Sequence, residues 1–288
     1  MFSSLSGSSR VFGIIGHPVH HTLSPAMQNA ALHACGIDGV FVPFDVQPER
    51  LGEAIAGLRA LGVRGVNVTI PHKTGVVPYL DRLDESAEAA GAVNTISNEE
   101  GRLVGYNTDG DGLVRSLAEE FAFISENSTV IIIGAGGAAR GAVAAICRAG
   151  ARRITIANRS RDRATALVTA MEARYPDTVL LVAGYGGQQL PPNLREADLV
   201  VNSTSLGMHG EVIAGLDLKA LNRNAVVYDM VYAPPVTPLL QEAQRLGLRH
   251  ANGLGMLAAQ GELAFRIWTG ILPPPGLMKR VLAGISAS

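Results

Sequence analysis

The stretch Val130-Ile131-Ile132-Ile133-Gly134-Ala135-Gly136-Gly137-Ala138-Ala139 constrains the chain most. Four consecutive aliphatic residues read as a strand buried on both faces, and the glycines that follow end it in a tight turn. Arg140-Gly141-Ala142-Val143-Ala144-Ala145 then reads as a helix. In this strand, turn and helix, Gly134 can take the turn, Gly136 lets backbone approach a pyrophosphate, and Ala139 lets the helix lie close on the strand. The free N–H groups and positive dipole end of that helix would then face the phosphates. The bland alternative is a plain structural turn.

The rest of the chain fits a globular protein. Hydrophobic residues make up 47% and charged residues 17% of 288 positions, a composition that excludes disorder. A net charge of −1 with no basic stripe argues against nucleic acid as a partner. No apolar run reaches the roughly 20 residues of a membrane span. The first ten residues lack a hydrophobic signal-peptide core and read as a frayed tail. Cys35 and Cys147 read as buried free thiols, which points to the cytoplasm. His17, His20 and His21 cluster, but no cysteine or paired carboxylate stands at ligand spacing, so no metal is expected. Of the 24 lysines and arginines, only Lys73, Lys219 and Lys279 are lysine. A chain that otherwise uses arginine has kept an ammonium at 73.

Residues 11–15, 40–46 and 65–70 read as strands. The first is followed by a helix with Ser24 at its N-cap and Pro25 in its first turn. Thr22 and Ser24 alternate on that loop, so both hydroxyls can hold a small carboxylate or diol. Leu51, Ile55, Leu58 and Leu61 form one helical stripe. Asn67, Thr69 and Lys73 gather where the third strand leaves the sheet, the edge at which open α/β sheets place ligands. A solvated lysine after a proline is the plainer reading of Lys73. An alanine-rich helix is expected over 81–92. A hairpin then has strands at 93–96 and 103–106 and a turn at 97–101. Asp109 follows it, either as a simple helix cap or as part of the polar cluster.

The second half repeats strand and helix, with strands expected at 130–133, 154–157, 179–182, 199–201, 226–229 and 249–251. Six strands joined by crossover helices fit a doubly wound parallel sheet. An NAD site would close the second strand with Asp or Glu, to bind the ribose 2′-hydroxyl. Here Asn158-Arg159-Ser160-Arg161-Asp162-Arg163 stands there. Arg159 and Arg163 can pair with a 2′-phosphate, so NADP is expected over NAD. A solvated arginine-rich helix start is the alternative. Thr204 belongs to the loop after the fourth strand, across the switch point from the glycine turn, and Tyr232 follows the fifth strand. Met256 is core by default and Gln260 exposed by default.

Together these stretches resemble the shikimate dehydrogenase family from about Phe12 to the last helix. The carrying motifs are His21-Thr22-Leu23-Ser24-Pro25, Asn67-Val68-Thr69-Ile70-Pro71-His72-Lys73, Gly91-Ala92-Val93-Asn94-Thr95, Asn107-Thr108-Asp109, residues 134–139, Asn158-Arg159-Ser160, Asn202-Ser203-Thr204-Ser205-Leu206-Gly207-Met208 and residues 253–260. The resemblance implies an α/β fold of two domains. An N-terminal α/β substrate-binding domain would span 1–108, with C-terminal helices 254–288 returning to it. A Rossmann-type NADP-binding domain would span 109–253.

The resemblance also implies reversible reduction of 3-dehydroshikimate to shikimate in chorismate and aromatic amino-acid biosynthesis. Lys73 and Asp109 would be the catalytic pair. Thr22 and Ser24 would bind the substrate carboxylate, while Asn67, Thr69, Asn94 and Gln260 would lie around the ring hydroxyls and Tyr232 would help hold the substrate. Gly134, Gly136, Gly137, Ala138, Asn158, Arg159, Ser160, Arg163, Thr204, Gly253 and Met256 would bind the cofactor. The family more often has Ser-x-Ser where this chain has Thr22-Leu23-Ser24, and the added methyl with its stiffer χ1 narrows the pocket beside the carboxylate. A quinate/shikimate dehydrogenase with broader cofactor use is one alternative. A non-catalytic NADP-binding or sensing module is another. A monomer and a homodimer are both compatible with the sequence.

Overall fold

The structure, a computed structural model, describes residues 5–184 and 192–286. The chain forms two compact units, Met1–Gly112 together with Leu257–Ser288, and Leu113–Met256. Asp109, placed in the second domain by the sequence division, lies in the first unit.

The first unit holds a six-stranded mixed sheet. Its strands are β1 (Arg10–Gly16), β2 (Gly39–Asp45), β3 (Gly65–Val68), β4 (Arg82–Leu83), β5 (Thr95–Glu99) and β6 (Arg102–Tyr106), in the order β2-β1-β3-β5-β6-β4. β1 pairs in parallel with β2 and β3, whereas β5 runs antiparallel to both β3 and β6. The C-terminal ends of β1, β3 and β6 and the start of β5 therefore meet at one edge. Helix α1 (Ser24–Ala34) follows β1, and α2 (Leu51–Ala60) packs Leu51, Ile55 and Leu58 into a core with Ile15, Val66, Val68 and Ile96.

Several local expectations are corrected. Leu61 is 82% exposed, because α2 ends at Ala60 and Leu61 is only its C-cap. The helix expected over 81–92 shrinks to α3 (Glu85–Ala90). Arg82 and Leu83 pair with β6 instead, the Asp84 carboxylate caps the helix by accepting from Ser86 N, and Gly91 ends it at φ 58°. The hairpin forms, but Ser97, Asn98 and Glu99 extend β5 and the turn tightens to Glu100-Gly101. Ser24 is the first residue of α1, not its cap. The described part of the N-terminal tail is ordered: Ser9 and Ser6 hydroxyls donate to the Asp38 carboxylate at 2.6 and 3.0 Å and lower its pKa from the ordinary value. Residues 1–4 of that tail lie outside the described residues. Cys147 is buried, as expected, whereas Cys35 is half-buried; both are free thiols.

Helices α8 (Leu254–Thr269) and α9 (Leu277–Ser286) bring the chain's end to the first unit. Trp268 is the anchor. Its indole lies 5.6 Å from the Phe12 ring and 6.0 Å from the Phe41 ring, and its Nε1 donates to Ile96 O at 2.9 Å. Gly65 has no Cβ to spare here, since one would collide with the indole.

The second unit is an all-parallel sheet of β7 (Thr129–Ile133), β8 (Arg153–Asn158), β9 (Val179–Gly184), β10 (Leu199–Asn202), β11 (Val226–Asp229) and β12 (Arg249–Asn252). These six strands match those expected from the sequence. Their order, β12-β11-β10-β7-β8-β9, reverses direction between β7 and β10. Helix α4 (Asp109–Phe121) precedes the sheet, and α5 (Gly137–Arg148), α6 (Arg161–Glu172) and α7 (Pro238–Arg245) are its connections. β7 and β10, at the centre, are buried at every residue, as a parallel sheet covered on both faces requires.

Replacing Trp268 by alanine should cost about 3–5 kcal/mol of stability, from lost packing and an unpaired Ile96 carbonyl, with Trp268→Phe recovering much of it. Denaturant unfolding followed by circular dichroism checks this; equal losses in the two variants would contradict the packing role.

Candidate functional site

The polar residues at the edge of the first sheet form one network. The loop after β3 has a cis Ile70–Pro71 bond and then buries His72, whose Nε2 donates to Val46 O at 2.7 Å. Lys73 comes next, and its carbonyl accepts from Val93 N at 2.7 Å, stitching this loop to the approach to β5. The Lys73 Nζ lies 2.5 Å from Asp109 Oδ2, with the two side chains only 15% and 7% exposed.

Asp109 is the first residue of α4, yet its carboxylate does not cap the helix. One oxygen takes Lys73 and the other accepts from Asn94 Nδ2 at 2.9 Å. Asn94 is itself held, its Oδ1 accepting from Thr108 N at 2.8 Å and from the Thr95 hydroxyl at 3.0 Å. Its amide also reaches Thr108 Oγ1 at 2.9 Å and Gln260 Oε1 at 3.4 Å. Gln260 is 7% exposed, overturning its default surface placement, because Gly112 lets α8 pack close to α4. The carboxylate is thus held through both oxygens, one by Lys73 and one by Asn94.

Asn67 joins through its amide, which donates to Asn94 O and Thr95 Oγ1 at 3.3 and 3.2 Å. Its buried Oδ1 accepts from nothing among the described residues. Thr69 follows β3, and Thr22 and Ser24 follow β1, the parallel neighbour. Thr22 Oγ1 accepts from Ser24 N at 3.3 Å, which turns its hydrogen away from the backbone. These three are not hydrogen-bonded to the Lys73 network. His17, one of the clustered histidines, pairs its Nδ1 with Asp45 Oδ1 at 2.8 Å.

The second group of expected residues lies at the C-terminal edge of the parallel sheet. Gly134 has φ +114°, and a Cβ there would stand 2.5 Å from Ser203 Oγ, so the turn after β7 and the loop after β10 are in contact. Gly136 is extended and opens α5, and a Cβ there would meet no atom within 4 Å. Gly137 and Ala138 begin the helix. Asn158 ends β8 and its amide donates to Ser160 O at 2.8 Å, while Ser160 caps α6 by accepting from Arg163 N. Arg159 and Arg163 are exposed and make no ion pair among the described residues. Gly253 is forced, since any Cβ would collide with the Met230 backbone. Met256 is 8% exposed, with its N–H donated to Tyr228 Oη at 3.2 Å. Burial pushes the half-buried Tyr232 hydroxyl above its ordinary pKa.

The sequence reading missed one buried set here. Asn202, Asp229 and Thr237 are all 0% exposed. Asp229 accepts from Asn202 Nδ2 at 2.9 Å, Val231 N at 3.0 Å and the Thr237 hydroxyl at 2.6 Å. Burial raises its pKa against the pull of these bonds. The available signal was a carboxylate closing the otherwise apolar β11.

A parallel sheet of this order, with a glycine turn after its first strand, is the Rossmann-type dinucleotide-binding fold. Family models match most of the chain: the shikimate dehydrogenase substrate binding domain at residues 14–96, shikimate / quinate 5-dehydrogenase at 116–242, and the shikimate 5'-dehydrogenase C-terminal domain at 253–283. The chain is 55% identical to the NADP(+) shikimate dehydrogenase of Citrifermentans bemidjiense over 97% of both chains. A crystal structure of shikimate dehydrogenase in complex with NADP+ superimposes with a TM-score of 0.91 at 38% identity, covering 100% of this chain and 99% of that one. Shikimate 5-dehydrogenase from Thermus thermophilus, in complex with NADP(H) and shikimate, gives a TM-score of 0.84 at 36% identity over 96% and 99%. The chain belongs to the shikimate dehydrogenase family.

Gly134→Ala should lower stability by at least about 1 kcal/mol, from its positive φ and the Ser203 side chain. Gly136→Ala should leave the thermal midpoint unchanged. Equal midpoints for the two variants would contradict this division of space.

Proposed function

We propose that the chain catalyses the NADP-dependent, reversible reduction of 3-dehydroshikimate to shikimate, the step that serves chorismate and aromatic amino-acid biosynthesis. The observation that carries this reading is the 2.5 Å pair of Lys73 and Asp109 within the polyamide cluster of Asn67, Asn94 and Gln260. When bound, NADPH supplies the hydride that reduces the ring ketone. The open space at Gly136 and the exposed Arg159 and Arg163, without an ion pair among the described residues, fit its pyrophosphate and 2′-phosphate. Gly134, Gly137, Ala138, Asn158, Ser160, Thr204, Gly253 and Met256 complete the proposed nucleotide site.

Residues 1–108 with 254–288 are proposed to bind substrate and 109–253 to bind the nucleotide. Of the proposed substrate-binding residues, Thr22 and Ser24 hold the carboxylate, Thr69 joins the polyamide cluster around the ring, and Tyr232 helps hold the substrate. Asn67 is proposed to join this cluster at the ring, its Oδ1 having no partner among the described residues. Asp109 pairs with the Lys73 Nζ and aims it, while Asn94, itself held by Thr108, keeps the carboxylate from turning away. In reduction, Lys73 Nζ gives a proton to the oxygen that was the ketone; in oxidation it takes that proton back. The two free thiols, Cys35 and Cys147, support a reducing compartment, the cytoplasm. No described helix is long and apolar enough to cross a membrane.

Initial rates with shikimate and with quinate, each under NADP and NAD, test the reading. Shikimate with NADP should dominate, and Lys73→Ala should lose roughly 100- to 10,000-fold in kcat. Comparable rates on quinate or with NAD would favour the broader enzyme, and no turnover of either would favour a non-catalytic module.

A further inference from the structure

Asp229 is a carboxylate with no ion pair among the described residues, fully buried where two strands end. Every bond it makes leads into a loop. Through Asn202 Nδ2 it reaches the loop after β10, because Asn202 Oδ1 accepts from Thr204 N at 3.1 Å and Thr204 Oγ1 at 2.7 Å, and the same amide donates to Leu206 O at 3.0 Å. Through Val231 N and the Thr237 hydroxyl it reaches both ends of the loop after β11, which carries Tyr232 and the cis Ala233–Pro234 bond. Gly207, at φ +100°, lies where a Cβ would press on Thr237 at 3.0 Å, so the two loops also pack on each other. A carboxylate is suited to this place because it accepts from three donors and competes for no acceptor.

We propose that Asp229 is a positioning residue that, through Asn202, Val231 and Thr237, holds the loops of Thr204 and Tyr232 in fixed register for nucleotide and substrate. The inference rests on the functional reading above, which places the nucleotide against the first loop and the substrate against the second. Asp229 touches neither ligand. It acts only by denying the loops other conformations, as a displacement of about 1 Å costs up to about 100-fold in rate.

The test compares Asp229→Ala, Asn202→Ala and Asp229→Asn in the full chain. Asparagine keeps an oxygen for Asn202 and Val231, and its amide donates to a turned Thr237 hydroxyl. Asp229→Ala and Asn202→Ala should raise KM for NADP about tenfold or more and lower kcat by up to about 100-fold at temperatures where circular dichroism shows them folded. Asp229→Asn should stay within about threefold of wild type in both. A lower thermal midpoint with KM and kcat unchanged would make Asp229 merely structural, and Asp229→Asn as damaging as Asp229→Ala would transfer the role to its charge; either overturns the proposal. If Asp229→Ala does not fold, Asn202→Ala and Thr237→Val carry the comparison. Wild-type protein that binds NADP but does not turn over shikimate overturns the functional reading alone. Calorimetric titration of the variants with NADP then decides the loop role, and an unchanged Kd counts against it.

Discussion

The pair of Lys73 and Asp109 is the constraint that much of the first unit satisfies. Two charges this little exposed need each other, since an unpaired charge at such depth costs several kcal/mol. The pair alone would be free to rotate. Asn94 takes the second carboxylate oxygen and is itself gripped by Thr95 and Thr108, so the orientation of the pair is inherited from the Thr95 hydroxyl at the start of β5 and the Thr108 N–H just before α4. The mixed sheet makes this possible: only by reversing at β5 does the chain bring the loop after β3, the start of β5 and the exit of β6 to one edge.

The second unit solves a different problem, the presentation of backbone rather than charge. The switch of direction between β7 and β10 leaves a crevice flanked by their two loops, and Gly134 lets those loops touch. The loop after β10 is in turn bonded from below by Asn202, and Asn202 by Asp229, which also bonds both ends of the loop after β11. Tyr228 plays a comparable part nearby. Its hydroxyl joins Ser116 on α4 to the first turn of α8, and burial holds its pKa above the ordinary value.

Much of this was legible in the residues. Five of the six strands of the second sheet carry an apolar run, β12 (Arg249–Asn252) being the exception, and the glycine fingerprint marks the first of them. Lys73 stood out through the scarcity of lysine. What could not be read was set by tertiary pairing. Arg82 and Leu83 left a helical pattern because β6 offered them a strand partner, and Asp84 restarted the helix as its cap. Leu61 kept the spacing of the α2 stripe but fell past its last turn. Gln260 looked like a surface residue until Gly112 allowed close packing. Asp229 gave only the faint signal of an acid at the end of an apolar strand, since its partners at 202 and 237 are remote in sequence.

The central claim is that Asp109 and Asn94 hold the Lys73 ammonium facing the substrate. The protein has only three lysines, and Lys219 and Lys279 are exposed, so selective ¹⁵N-lysine labelling gives a spectrum in which Lys73 can be assigned by its absence in Lys73→Ala. Titration with shikimate should move the Lys73 Nζ resonance while the other two stay in place, and Asp109→Ala should abolish the movement. A Lys73 resonance that stays fixed while shikimate binds, or that moves equally without Asp109, would contradict the account.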